Sequence, residues 1–166
     1  LLRHTDRVHS ASLAQLVNVI APIMTEPGGP AWKQTTFHPF ALTSRHARGN
    51  VLEVPLSGPT YDTAKYGAVP LVDAVATHDP ETGDVALFLV NRSVDAAAPV
   101  EVDLGGLGET SLVEAVELSN PDHQWAASMA DSTSVSPKEL AGVSVADGVL
   151  TATLPPVSWA MVRLGS

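Results

Sequence analysis

The stretch Glu26-Pro27-Gly28-Gly29-Pro30-Ala31-Trp32-Lys33-Gln34-Thr35-Thr36 carries the side chains best suited to hold a ligand. Trp32 offers a flat apolar face of the kind that stacks on a sugar ring, and Gln34 offers both a donor and an acceptor. The segment follows a short apolar run and precedes a helix, which is where α/β folds place their ligand sites. Two plainer roles stay open at this point: Trp32 packing beneath the loop, and Gln34 capping a helix end. Loops held by a rigid scaffold often carry function.

Other constellations have the residue types without the geometry. His4, Asp6 and His9 resemble a metal set, but on a helix positions 4 and 9 lie about 140° apart and share no face. A solvated surface is the better reading, and no metal site is expected. Gly105-Gly106-Leu107-Gly108 follows an acidic strand and opens no helix, so it reads as a β-turn and not a phosphate cradle. Asn91-Arg92-Ser93 fits the glycosylation pattern, which is short enough to occur by chance. Ser128 to Ser136, His123 and Asp131 supply the types of a hydrolytic triad, but on a polar loop with no nucleophile elbow. Glu114 and Glu117 lie three apart on a predicted strand, face opposite sides and cannot converge as an acid/base pair. No catalytic residue and no cofactor are expected.

The elements around these residues fall into two regions. In the first, Val8, Ala11, Leu13, Leu16, Val17 and Ile20 recur at helical spacing, and Pro22 ends that helix. Ile23-Met24-Thr25 reads as a short buried strand, and Pro27 to Pro30 as a loop. A second helix is expected over 36–48, capped by Thr35 or Thr36, with Gly49 just past its end. One strand cannot form a sheet, so this α–β–α piece reads as cut from a larger α/β domain. The second region changes period. Val69–Thr77 and Asp84–Asn91 form a predicted hairpin across His78–Gly83. Further strands fit Val51–Leu56, Pro99–Leu104, Ser111–Leu118, Val143–Val145, Val149–Leu154 and Ser158–Leu164. Asp147-Gly148 is a strong two-residue hairpin signal, and Ser119–Gly142 reads as a long loop. The expected fold class is mainly β: an antiparallel β-sandwich of jelly-roll type, preceded by the α–β–α piece.

Charge divides the chain at the same place. Residues 1–48 hold five bases against two acids, and residues 49–166 hold four against sixteen. The boundary is placed at 48/49. The net charge of −9 argues against nucleic acid as a partner. Absence of cysteine removes disulfides and thiolate chemistry. The longest apolar stretch, Leu13 to Met24, is too short to span a bilayer, so no membrane partner is expected. The N-terminus shows no signal-peptide layout, and the expected location is cytoplasmic.

Ser12-Leu13-Ala14-Gln15-Leu16-Val17-Asn18-Val19-Ile20-Ala21-Pro22-Ile23-Met24-Thr25 and Gly29-Pro30-Ala31-Trp32-Lys33-Gln34-Thr35 closely resemble the end of the catalytic barrel in α-L-arabinofuranosidases of glycoside hydrolase family 51. Leu2 to Val8 resembles the preceding helix segment. Asn120-Pro121-Asp122 and Pro155-Pro156-Val157-Ser158-Trp159 are similar to that family's C-terminal domain. The resemblance implies that 1–48 is the end of a (β/α)₈ barrel: helix 1–22, eighth strand 23–25 and eighth helix 36–48. It implies that 49–166 is the C-terminal β-sandwich.

The resemblance also implies a retaining glycosidase acting on terminal α-L-arabinofuranosyl groups of arabinan- and arabinoxylan-type oligosaccharides. Two Glu about 5 Å apart do that chemistry. In the family they lie on earlier barrel strands, and Glu26 matches neither motif, so this chain alone is expected to be inactive. Gln34 would hydrogen-bond a hydroxyl of the arabinofuranosyl ring, with Trp32 beside it. The implied partners are the oligosaccharide, the missing barrel portion of the parent chain, and further copies in a homo-oligomer. The rival reading is a non-catalytic sandwich, structural or carbohydrate-binding. Of its aromatics after residue 49, Phe88 and Trp159 fall within strands and fit a core better than a sugar platform.

Overall fold

A strand covered on one face alternates in hydropathy, and a strand covered on both does not. The chain contains both kinds, and the computed structural model, which describes residues 1–166, shows why. Its strands are β1 (Ile23–Thr25), β2 (Ala31–Lys33), β3 (Asn50–Leu52), β4 (Thr60–Thr63), β5 (Gly67–Pro70), β6 (Val72–His78) and β7 (Val85–Asn91). They continue with β8 (Ala98–Asp103), β9 (Ser111–Leu118), β10 (Lys138–Glu139), β11 (Ser144–Ala146), β12 (Val149–Leu154) and β13 (Ser158–Gly165). The single α-helix, α1, spans Phe37–His46.

All pairings are antiparallel. A six-stranded sheet has the order β10-β9-β13-β7-β6-β3, a three-stranded sheet β11-β12-β8, and two further hairpins stand apart, β1–β2 and β4–β5. No sheet closes into a barrel, and the mainly β expectation holds. The two larger sheets enclose the core: Leu87, Leu89, Val162 and Leu164 from one meet Leu150 and Leu154 from the other, all buried. On the reverse face of the six-stranded sheet, Ala86, Phe88 and Met161 are covered by Leu42, Ala47 and Leu2. Phe88 and Trp159 lie on this covered face with ring centroids 6.2 Å apart. Hence β7 is apolar almost throughout. By contrast β8 turns Val100 and Val102 toward the core and leaves Glu101 and Asp103 exposed.

The turns follow residue chemistry. Asp147 and Gly148 have φ of 52° and 75°, the two left-handed residues of a tight hairpin, and set Ala146 opposite Val149. Gly49, just beyond α1, has φ 72°, and a Cβ there would lie 2.1 Å from the His78 carbonyl oxygen. Only glycine lets the chain pass β6 so closely. No helix is long and apolar enough to cross a membrane.

Several expectations need correction. The helix predicted across Val8–Ile20 does not form: a 3-10 turn at Leu2–His4 is followed by irregular chain to Pro22. Gln15, Asn18 and Val19 have φ of 60°, 63° and 56°, outside the right-handed helical region. The Asn18 side chain instead accepts from the Thr25 N–H (2.7 Å) and donates to Thr25 Oγ1 (2.8 Å), a local alternative to helix. An amphipathic segment of this length is marginal without a surface to bury its stripe, and Leu16, Val19 and Ile20 are 80%, 80% and 71% exposed. The strand at 23–25 forms and the chain turns at Pro27–Pro30, but it then pairs antiparallel with β2, a strand that was not expected. The α–β–α arrangement is therefore absent from this structure. Val69–Thr77 is two strands: β5 pairs with β4, an unforeseen hairpin, and β6 begins at Val72. Val51–Leu56 shortens to β3, with Pro55 lying just beyond it. The long loop contains β10, which pairs with β9.

Asp73 on β6 fastens the N-terminal segment to the sheet. It accepts from Arg3 and, at 2.6 Å, from Arg92, whose other nitrogen donates to the Pro70 carbonyl at 3.0 Å. Burial alone would raise this carboxyl, but the two guanidinium hydrogen bonds and charges outweigh it and hold it below the ordinary range. A depressed folded value means the stabilisation is complete above the unfolded carboxylate value and is lost as pH falls through the folded one. Melting scans of the chain and of Asp73→Asn, from about pH 7 to about pH 2, should give a shallower acid limb for the variant. Parallel acid limbs would remove Asp73 as a source of acid sensitivity.

Candidate functional site

Gln34 sits between β2 and α1, and its backbone is fixed at both ends. Its N–H donates to the Pro22 carbonyl (2.8 Å) and its carbonyl accepts from the Phe37 N–H (3.0 Å). The chain thus turns from hairpin to helix at this residue. Thr36 occupies the N-cap position without a side-chain cap hydrogen bond, and Pro39 falls in the first turn, where its missing N–H costs nothing. The Gln34 side chain caps no helix. Its Nε2 donates to the carbonyl of Ala127, 93 residues away, at 3.3 Å.

Trp32 lies opposite Met24 in the β1–β2 register. Its ring is half-buried, and the shielded Nε1 has no acceptor within the chain. A buried indole N–H normally finds a partner. Beside them, Lys33 places Nζ 4.6 Å from the Phe37 ring centroid. His38 is held below its ordinary pKa by burial first and by the Lys33 charge second.

The loop that Gln34 touches has its own order. Asp131 Oδ2 accepts from Trp125 Nε1 at 3.2 Å, and Oδ1 accepts from the N–H groups of Ser134 (3.1 Å) and Thr133 (3.4 Å). Hydrogen bonds from Ser134, then those from Trp125 and Thr133, keep this carboxyl below the usual carboxylate range. Ser128 Oγ accepts from the Asp131 N–H at 3.1 Å. Asp131 and Ser128 are therefore engaged in closing the loop and form no triad with His123. A cavity of about 400 Å³ lies between this loop and the start of α1, with Thr35, Thr36, Arg92, Asp122, His123 and Trp125 in its lining. A larger one, about 640 Å³, opens over the sandwich core between β8 and residues 52–60; neither Trp32 nor Gln34 lines either cavity.

The remaining candidates resolve individually. His4 lies 3.1 Å from an Arg7 nitrogen, and no group of three His, Asp or Glu side chains is positioned to hold a metal ion. Gly105 N–H donates to Asp103 Oδ1 (2.8 Å) and Leu107 N–H to Leu104 O (2.8 Å), which is a turn. Glu114 pairs with Arg163 and the buried Glu117 with Lys138, on opposite faces of β9. Asn91 is 1% exposed and hydrogen-bonded on both amide atoms, so it is a structural residue and no glycan acceptor. The contact between Gln34 and the Ala127 carbonyl was not foreseen. The local hydrogen-bonding pattern around Asp131 is legible in Asp131-Ser132-Thr133-Ser134, but a tertiary contact over 93 residues leaves no periodic trace.

The chain is similar to known proteins along nearly its whole length. The chain matches the family model described as "Alpha-L-arabinofuranosidase C-terminal domain" over residues 1–158. It is 52% identical over 163 residues to an intracellular exo-α-(1→5)-L-arabinofuranosidase of Streptomyces lividans, covering 98% of this chain and 24% of that protein. It is 48% identical to an exo-α-(1→6)-L-arabinofuranosidase of Bifidobacterium longum, covering 99% of this chain and 32% of that protein. Among solved structures, a family 51 α-L-arabinofuranosidase from Bifidobacterium longum superposes with a TM-score of 0.91 at 45% identity, over 98% of this chain and 32% of that one. The chain thus spans about a quarter to a third of the length of these relatives.

Proposed function

The chain belongs to the α-L-arabinofuranosidase C-terminal domain family, and on that premise we propose that it is the C-terminal part of an enzyme removing terminal α-L-arabinofuranosyl residues from arabinan- or arabinoxylan-type oligosaccharides. The observation that carries this reading is the 52% identity running through 98% of the chain. Residues 1–48 are read as the end of a (β/α)₈ barrel and 49–166 as the sandwich that follows it. In the parent, 1–22 folds as a barrel helix once the stripe at Leu13, Leu16, Val17 and Ile20 has a surface to bury. Those side chains are exposed here, and alone they favour self-association; further copies in a homo-oligomer are part of the reading. The parent is a retaining enzyme with both catalytic carboxylates outside this chain, and it works in the cytoplasm, as the names of intracellular relatives support. Relatives named for 1→5 and 1→6 linkages match this part about equally well, so linkage preference is assigned to the barrel segments outside this chain.

Within this part, Gln34 and Trp32 are the residues that meet substrate. Gln34 Oε1 has no partner in the chain's hydrogen-bond network and is free to accept from a sugar hydroxyl. The exposed outer face of the three-stranded sheet carries Glu101, Asp103, Thr151 and Thr153 and no aromatic ring. A sugar-stacking module is therefore the weaker reading, and support of the segment that carries Gln34 is the sandwich's favoured role.

The test is Gln34→Ala in the full-length parent. A hydrogen bond that strengthens as the ring flattens matters more to the transition state than to the ground state. The expected loss in kcat/KM is one to two orders of magnitude, about 1.5–3 kcal/mol, as for a lost buried hydrogen bond. Thermal melting should move little, because a loop amide carries little packing. Unchanged kinetics would remove Gln34 from the site.

A further inference from the structure

The amide of Gln34 has two ends, and only one orientation suits a given hydroxyl. In this structure the choice is made from the far side of the fold, because Nε2 donates to the Ala127 carbonyl and leaves Oε1 unpaired. Ala127 is 8% exposed, and the chain around it is closed on itself. The Ser128 N–H donates to the Asp131 carbonyl at 2.8 Å, the Asp131 N–H returns to Ser128 Oγ at 3.1 Å, and the Trp125 N–H donates to the Asp122 carbonyl at 3.1 Å. The Asp131 carboxylate ties the two limbs together, taking Trp125 Nε1 on one oxygen and the Thr133 and Ser134 N–H groups on the other.

We propose that Asp131 is a positioning residue of the sugar site: by closing the loop from Trp125 to Ser134 it sets the Ala127 carbonyl against Gln34 Nε2, and so aims Gln34 Oε1 as an acceptor at a sugar hydroxyl. The proposal rests on the reading that Gln34 touches the arabinofuranosyl ring. It gives the sandwich a part in catalysis without contact with the reacting atoms. Residues 93 apart in sequence, on either side of the 48/49 boundary, become one unit. Removing Asp131 frees both limbs of the loop, releases the carbonyl and lets the amide rotate.

The experiment is a double-substitution cycle in the full-length parent enzyme, with an aryl α-L-arabinofuranoside as substrate and thermal melting alongside. Asp131→Ala should lower kcat/KM about tenfold, in keeping with the cost of small misplacements at a site. In a Gln34→Ala background the same substitution should change nothing further, because the amide it aims is gone. Trp125→Phe keeps an aromatic ring at this place and removes the N–H donor together with the pyrrole half of the indole. It should cost about two- to fivefold, the size of one hydrogen bond, and again only when Gln34 is present. This second variant keeps the test informative should Asp131→Ala fail to fold. Unchanged kinetics in either folded loop variant, or effects that multiply in the double variants, would overturn the proposal. A Gln34→Ala enzyme with full activity would overturn the contact reading itself. A weakened Gln34→Ala enzyme beside unaffected loop variants would leave that reading standing and sink only the positioning role.

Discussion

Purified by itself, this chain should release no arabinose from an aryl arabinofuranoside above the level of a blank. A retaining glycosidase needs one carboxyl to protonate the leaving oxygen and a second, about 5 Å away, to attack the anomeric carbon. Here several carboxylates are committed elsewhere, among them Asp73 between Arg3 and Arg92, Glu114 on Arg163, Glu117 on Lys138, and Asp131 within its loop. Glu114 and Glu117 share a strand but face opposite sides of it. Gln34 and Trp32, a neutral amide and an indole, can supply neither the acid nor the nucleophile. General acid catalysis is worth about 10²–10⁴-fold and enzymes as a class reach at least about 10⁶-fold, so the expected loss exceeds any single-site effect. Turnover by the purified chain, proportional to its concentration and lost on heating, would show that the catalytic carboxylates do not both lie outside it.

What could be read from sequence tracks how local the determining physics is. Asp147-Gly148 specifies its hairpin because only left-handed residues fit that turn. The apolar run of β7 and the alternation of β8 report their different burial directly. The end of β5 and the start of β6 were merged because Val69 to Thr77 is uniformly β-prone. The break depends on β4, a partner eight residues upstream of β5 at the Tyr61–Val69 pair. The stripe at Leu13 to Ile20 shows the limit from the other side. Its helical period is real, but period states only which face would be buried, and nothing in these 166 residues covers it. Trp32 and Gln34 were legible as candidates by residue type and position between elements. The Ala127 carbonyl that orients Gln34 was not, since backbone acceptors carry no sequence signature.

Substituting Asn91 by Ala should cost more stability than any other single polar change in the chain. The amide ends β7 with 1% exposure and serves two connections together. The two hydrogens of Nδ2 are shared among the carbonyls of Ala96 (3.0 Å), Leu154 (3.2 Å) and Pro155 (2.9 Å), and Oδ1 accepts from the Ser93 N–H (2.9 Å). It thereby pins the β7–β8 connection to the β12–β13 connection, across the two sheets that enclose the core. Alanine leaves the Leu154 carbonyl and the Ser93 N–H without this partner, and each buried unsatisfied group costs about 1–3 kcal/mol. The expected loss is about 3–5 kcal/mol, a large share of the roughly 5–15 kcal/mol that holds a domain together, and a drop of about 10 °C in Tm. Asn91→Asp separates the hydrogen bonds from the shape. It keeps the volume and the acceptor but faces carbonyl oxygens with a buried negative charge, so its carboxyl should titrate above the ordinary range. Raised in the folded state, such a group destabilises as pH climbs past the unfolded carboxylate value. The Asp variant should therefore match or exceed the Ala loss at neutral pH and recover part of it in acid, where the protonated carboxyl can donate once. Melting curves of the three proteins at neutral and acidic pH decide the matter. An Ala variant that melts with the wild type would mean the network only decorates a junction that packing already holds.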